Sequence, residues 1–370
     1  MRILIYSHPP YAQTGFGTVI RNLHRHLAKE HEVFILPIVC DPSQTIKVND
    51  AIILSAPGPL EHSWKWVKHW VEELHIDLVI QHFDIWMLKG GWIKEISCPV
   101  ITYAPVDCTP LPDGFIETTE GAKLNIAMSK FAEDHFLANN MPCRYIPHGV
   151  DLELFNFVEG AKKQIFGDGF IVGIFSTNGS IRKNIAGQMQ AFKIFSENAP
   201  DAKLYMHMQS HKSTPDSIDI YRYAVRLGIE NKIITPNPMQ YAAGIPDSAL
   251  PQLYSGIDVM LQCSLGEGFG LPILEAQACG VPVIGTQCSA ITEIIGNGGI
   301  TISEGVPITF AYSLSSMFMP QPKAIAAALY DVYASPFLRN TLAVNALNNA
   351  QQYSWEKLWP LWDDALASCF

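Results

Sequence analysis

Short apolar runs alternate with stretches of helical periodicity along the whole chain. In the first half the runs are RILIYS, EVFILPI, AIILS, DLVIQ, PVITY and LNIAM. Runs of this length bounded by turn residues predict buried strands, and their alternation with helices predicts parallel sheets. The segment HSWKWVKHWVEELH predicts one of those helices. Trp66, Val67, Trp70, Val71 and Leu74 fall within one arc, and Lys65, Lys68, His69, Glu72 and Glu73 fall opposite. The pattern pauses at IPHGVDLELF, residues 146–155, and then starts afresh with FIVGIFS, AKLYMHM, KIIT, IDVML, VPVIG and GITI.

Two successive starts predict an α/β chain of two tandem Rossmann-like domains, 1–150 and 151–353. Ligands collect at the carboxyl ends of strands in such sheets, so two of them face to face would leave a central cleft for a small molecule. The segment TFAYSLSSMFMPQP reads as an irregular loop covering core. The closing YSWEKLWPLWDDAL predicts a helix over about 354–370, with Ser354 as N-cap and Trp355, Leu358, Trp359 and Trp362 as its apolar face. Pro360 would bend it. So much tryptophan needs a surface to cover, and the first domain is the expected one.

Composition narrows the class. The 370 residues are 48% hydrophobic and 16% charged, which excludes disorder. A net charge of −10 argues against a nucleic-acid partner. No window approaches the roughly 18 apolar residues of a membrane span, and MRILIYSHPP reads as a strand, not a leader, so a cytoplasmic protein is expected. The basic, tryptophan-rich helix is compatible with peripheral membrane contact. The glutamates on its polar face favour packing on a sheet instead. The eight cysteines, Cys40 among them, form no Cys-x-x-Cys pair and are expected to be buried thiols. No metal is expected. There is no Asp-x-Asp pair, His207 and His211 straddle a strand end, and His24 and His26 diverge on a helix.

The segment with most chemistry is LGEGFGLPILEAQACGVPVIGT, residues 265–286. Its glycines allow a tight turn and close approach of backbone to a ligand. Pro272 suits a helix start, so the amides near Phe269, Gly270 and Leu271 would face an anion. Glu267 and Glu275 flank that site and can each accept hydroxyl hydrogen bonds. Hydroxyls on both sides of an anion describe a nucleotide sugar. The bland reading is that Glu267 favours the helix N-terminus and Glu275 is a solvated helix residue.

This segment resembles the Glu-x7-Glu signature of retaining GT-B glycosyltransferases, the large family 4-like group. IPHGVD resembles that family's hinge, SIRKN its phosphate-binding loop, AMSKFAEDHF a common helix start, and YSWEKL its closing helix. The resemblance implies that Glu275 holds ribose hydroxyls and Glu267 donor-sugar hydroxyls. Phe269, Gly270 and Leu271 would give backbone contacts. Lys183 would neutralise the departing diphosphate, with Arg182 standing in for an arginine that relatives place where this chain has Thr177. The alternative for that pair is a solvated turn. Gly15 and Gly17 would lie near the donor phosphate and the acceptor, or simply make a strand-to-helix turn. Asp107 stands where relatives often carry histidine, and it contacts the sugar or caps a turn. His82 would border the acceptor site, and His148 reads as structural.

The implied reaction moves a hexose from a UDP- or GDP-linked sugar to a glycan, lipid or protein hydroxyl, with retention and no cofactor. Closure about residues 148–155 would assemble the site. An epimerase or phosphorylase on the same fold, or a degenerate sugar-nucleotide-binding subunit, are the rivals.

Overall fold

The computed structural model describes residues 1–38, 44–58, 62–311 and 313–370; Cys40 lies outside them. Every apolar run named above forms a strand. The first sheet contains β1 (Arg2–Ser7), β2 (Glu32–Pro37), β3 (Ile46–Val48), β4 (Ala51–Ile53), β5 (Leu78–His82), β6 (Val100–Thr102), β7 (Leu124–Ala127) and β8 (Cys143–Tyr145). Their order is β3-β4-β2-β1-β5-β6-β7-β8, parallel throughout except for β3. The two strands of this sheet that hydropathy did not reveal, β3 and β8, are three-residue edges whose residues are half-buried or exposed, so they carry no apolar run.

The second sheet contains β9 (Ile171–Phe175), β10 (Lys203–His207), β11 (Ile233–Ile234), β12 (Val259–Gln262), β13 (Val283–Thr286) and β14 (Gly299–Ile302). It runs β11-β10-β9-β12-β13-β14 and is wholly parallel. In both sheets the chain first builds outward on one side and then returns to build on the other. The reversal falls between β1 and β5 in the first sheet and between β9 and β12 in the second. Such switch points open a crevice at the strands' carboxyl ends.

Around these two sheets the chain forms two compact units. One is Met1–Gly149 with Ala311–Ser315 and Leu358–Phe370; the other is Val150–Phe310 with Ser316–Lys357. In the first unit the helix Trp64–Glu73 buries Trp64, Val67 and Val71, while Trp66 and Trp70 pack half-buried against the same cluster. Its five predicted polar positions are exposed. The last helix, Trp355–Ala367, continues past Pro360. Trp362 is fully buried, its ring edge-on to Tyr103 at 5.1 Å, and Trp359 stacks on His26 at 4.2 Å. Trp359 and Trp362 therefore pack within the first unit, whereas Trp355 belongs to the second.

Residues 305–320 correct an expectation. Of the segment read as an irregular loop, Thr309 and residues 316–320 instead lie in an antiparallel strand pair, β15 (Gly305–Thr309) with β16 (Ser316–Pro320). The segment is uncharged and rich in residues that suit strands, but its prolines and serines hide the alternation. The cysteines other than Cys40 are free thiols, with Cys98, Cys143 and Cys288 only half-buried.

The core of the second unit is built by Val172, Ile174, Leu204, Met206 and Leu261 of the sheet. Against them pack Met189 and Phe192 from the helix Ile185–Ser196, and Leu329 from the helix Pro322–Ala334. Phe192 is fully buried. Phe192→Ala is expected to destabilise this unit by about 3–5 kcal/mol, read as a lower urea midpoint.

Candidate active site

Two loops meet at the β9/β12 switch point. The loop after β9 ends in a 3-10 turn, Ile181–Lys183, capped by the Ser180 hydroxyl, which accepts from the Arg182 amide at 3.3 Å. Asn184 follows in the left-handed conformation (φ 49°), and its side-chain amide donates to the Cys263 carbonyl at 3.0 Å. Gly187 makes this possible, because a Cβ there would stand 2.3 Å from Asn184 Oδ1. Gln188 donates to the Lys183 carbonyl at 2.9 Å and accepts from the Cys263 amide at 3.2 Å. The Leu265 amide donates to the Arg182 carbonyl at 2.8 Å. The cationic turn is thus stapled to the loop after β12.

That loop carries Glu267, only 6% exposed. Lys183 Nζ donates to its two oxygens at 2.8 and 2.9 Å, and Arg182 Nη1 donates to Oε2 at 2.8 Å and to the Gly266 carbonyl at 2.6 Å. Gln262 Nε2 donates to Oε1 at 3.0 Å. The Glu267 amide donates to Ser289 Oγ at 2.9 Å; Ser289 has φ 46°, an uncommon conformation for a non-glycine residue. Burial works to raise the carboxyl's pKa, but the charges of Lys183 and Arg182 and the hydrogen bonds outweigh it and hold it at about 2.

Arg182, Lys183 and Glu267 are therefore brought together, and the solvated-turn reading of the cations is overturned. Phe269 and Leu271 are buried beside the half-buried Gly270, whose φ of 102° favours glycine. The helix Leu271–Ala278 follows with Pro272 in its first turn. Glu275 sits one turn in, half-buried, and accepts from the Tyr254 hydroxyl at 2.7 Å, so it is more than a solvated helix residue. Tyr254 in turn stacks on Phe175 at 4.0 Å. Thr177 is exposed.

The remaining predicted residues belong to the first unit. Gly15 opens the helix Gly15–Leu27, and Gly17 is buried where a Cβ would meet the Ala12 carbonyl oxygen at 2.2 Å. The Thr14 hydroxyl caps this helix by accepting from the Gly17 amide at 3.1 Å. Asp107 is half-buried in the loop after β6. His82, at the end of β5, is fully buried, and its Nδ1–H donates to the Tyr103 carbonyl at 2.8 Å. Burial lowers its pKa to about 4. The Tyr103 hydroxyl donates to the Ile146 carbonyl at 3.0 Å and accepts from His148 Nδ1 at 2.7 Å, which gives His148 a structural tie. Among the described residues no group of three His, Cys, Asp or Glu side chains could hold a metal ion. No described helix is long and apolar enough to cross a membrane.

Sequence reasoning missed Gln262, Ser289 and Tyr254. Gln262 alone left a trace, as the polar residue ending an apolar strand.

Residues 174–319, which contain both loops, match the family model of glycosyl transferases group 1. That stretch is similar to the group 1 glycosyltransferases. Among the relatives of this chain, the O-antigen chain mannosyltransferase B of Escherichia coli is 25% identical over 278 residues, 71% of this chain and 65% of that protein. The N-acetyl-alpha-D-glucosaminyl L-malate synthase of Bacillus anthracis is 35% identical over 31% of this chain and 27% of that protein. The match thus spans just under two thirds of the first relative's length and about a quarter of the other's. The sucrose-phosphate synthase of Thermosynechococcus elongatus superposes with a TM-score of 0.79 at 18% identity, covering 99% of each chain. HepE of Anabaena in complex with UDP-glucose gives 0.74 at 16% identity, covering 100% of each chain. The fold is GT-B, and the resemblance read from the sequence agrees with the family model over residues 174–319.

The Glu267 carboxyl has an ordinary value of 4.5 and is held at about 2 when folded. Its contribution to stability is therefore complete above pH 4.5 and lost as pH falls through 2, a difference of about 3 kcal/mol. Glu267→Gln is expected to melt well below the wild type at pH 6, with the two melting temperatures converging toward pH 2.

Proposed function

We propose that this protein is a retaining glycosyltransferase that moves a hexose from a nucleotide diphosphate sugar to an acceptor hydroxyl. One observation carries the reading: two cations and a carboxylate converge at the carboxyl ends of β9 and β12, where an open parallel sheet takes its ligand. A diphosphate is matched by Arg182 and Lys183, and sugar hydroxyls are matched by the oxygens of Glu267. Glu275, held by Tyr254, suits ribose hydroxyls, with Phe269, Gly270 and Leu271 lining the turn between the two glutamates. HepE, with its UDP-glucose, and the mannosyltransferase relative support a sugar nucleotide as donor and a hexose as cargo.

Bond breaking at the sugar leaves negative charge on the diphosphate. Lys183 and Arg182, fixed in advance by the stapled turn, stabilise that charge without reorganising. A leaving phosphate oxygen takes the acceptor proton, which places acceptor and leaving group on the same face of the sugar and retains configuration. In the first unit, the Gly15–Gly17 turn and Asp107 are assigned to the phosphate and to the sugar or acceptor. The acceptor is a glycan, lipid or protein hydroxyl.

A thermal-shift panel of UDP-, GDP- and ADP-sugars tests the donor. One of them is expected to raise the melting temperature, since saturation at about 100 times Kd adds roughly 2.7 kcal/mol. A panel without any shift overturns the proposal. Lys183→Ala is expected to cut the donor-hydrolysis rate by about 10²–10³-fold. A normal rate in that assay would remove Lys183 from its role.

A further inference from the structure

Gln262 ends β12 and is 3% exposed. Its side-chain nitrogen donates to Glu267 Oε1 at 3.0 Å and to Ser264 Oγ at 3.1 Å. Chemistry dictates this orientation, because a carboxylate only accepts and the NH2 end must face it. The carbonyl end, Oε1, is then left buried with no hydrogen-bond partner among the described residues. A buried unpartnered carbonyl is destabilising, and methionine would fill the same space without one. The glutamine is kept for what its NH2 does.

Besides the Ser264 hydroxyl, Glu267 has three donors that differ in how they are carried. Lys183 and Arg182 ride on a 3-10 turn, and both are the groups a diphosphate would attract. Gln262 stands on a strand hydrogen-bonded on both sides, by β9 and β13, and is uncharged, so an arriving anion does not draw it away. We propose that Gln262 is a positioning residue of the donor site. It fixes the rotation of the Glu267 carboxylate, so that this group keeps its aim at the sugar hydroxyls when the diphosphate engages the two cations. The inference rests on the reading of Glu267 as the sugar-binding carboxylate.

Calorimetry on the full chain tests it with two ligand pairs, UDP-glucose against UDP and GDP-mannose against GDP. The ratio within a pair isolates the sugar's share of affinity. Gln262→Met is expected to leave nucleotide diphosphate affinity within about twofold and to cut the sugar's share about tenfold, the loss expected for one hydrogen bond to a charged group. In a Glu267→Gln background the same substitution is expected to cost nothing more, because the two residues act as a unit. Additive losses, or equal weakening of nucleotide and sugar nucleotide, overturn the positioning role. Gln262→Leu is of similar size and has no donor in any protonation state, so it must lose the sugar's share as well; a retained share overturns the proposal even if the methionine variant fails to fold. A wild type that binds neither nucleotide pair and is shifted by no sugar nucleotide of the thermal-shift panel overturns the glycosyltransferase reading itself. A wild type that binds, beside a Gln262→Met protein indistinguishable from it, overturns this inference alone.

Discussion

The pairing of Glu267 with Lys183 and Arg182 ties together the two loops at the switch point of the second sheet. A carboxylate this deeply buried loses its hydration and survives as an anion only where compensating charge and hydrogen-bond donors are fixed around it. The surroundings meet that demand at several levels. The left-handed Asn184 and the missing side chain of Gly187 set the cationic turn, Gln188 and the Leu265 amide staple it to the partner loop, and Ser289 holds the glutamate's own backbone. Removing one member leaves the others with unbalanced charge or unmet hydrogen bonds, so the cluster behaves as a unit.

The same arrangement explains why charge chemistry concentrates in one unit. Both sheets reverse direction once, and both offer a crevice there. At β9/β12 the loops bring two cations and an anion. At β1/β5 the strand ends are Ser7 and His82, and burial keeps His82 neutral at physiological pH. In the proposed reaction the second crevice serves the dianionic group. Ser7 and His82 are both fully buried, and Gly17, at the start of the helix after β1, is packed against the Ala12 carbonyl.

Legibility followed burial. The strands buried on both faces announced themselves as apolar runs, and the helix Trp64–Glu73 was predicted with its correct inner and outer faces because its amphipathic period is regular. The hairpin at 305–320 was not legible, since half-buried strands with prolines and serines lack a clean alternation. Nor were the short edges β3 and β8, which need little hydrophobicity because a neighbour supplies their pairing. Tyr254 could not be linked to Glu275 from spacing, because the two lie on different helices.

By itself the sequence determined the two parallel sheets, the Gly-rich turn with its two glutamates, and the presence of a cationic turn ahead of a helix. Those follow from local physics: burial pattern, backbone freedom and helix-start chemistry act within a few residues of where they are written. That Lys183 and Arg182 close on Glu267, more than eighty residues later, was decided only by the tertiary structure. The order of strands in the sheet sets β9 beside β12, and burial then makes the pairing of opposite charges obligatory. Gln262 shows the same division most sharply. As a letter it is one polar residue at the end of an apolar strand, and only the fold places its amide on the carboxylate and leaves its carbonyl buried without a partner among the described residues.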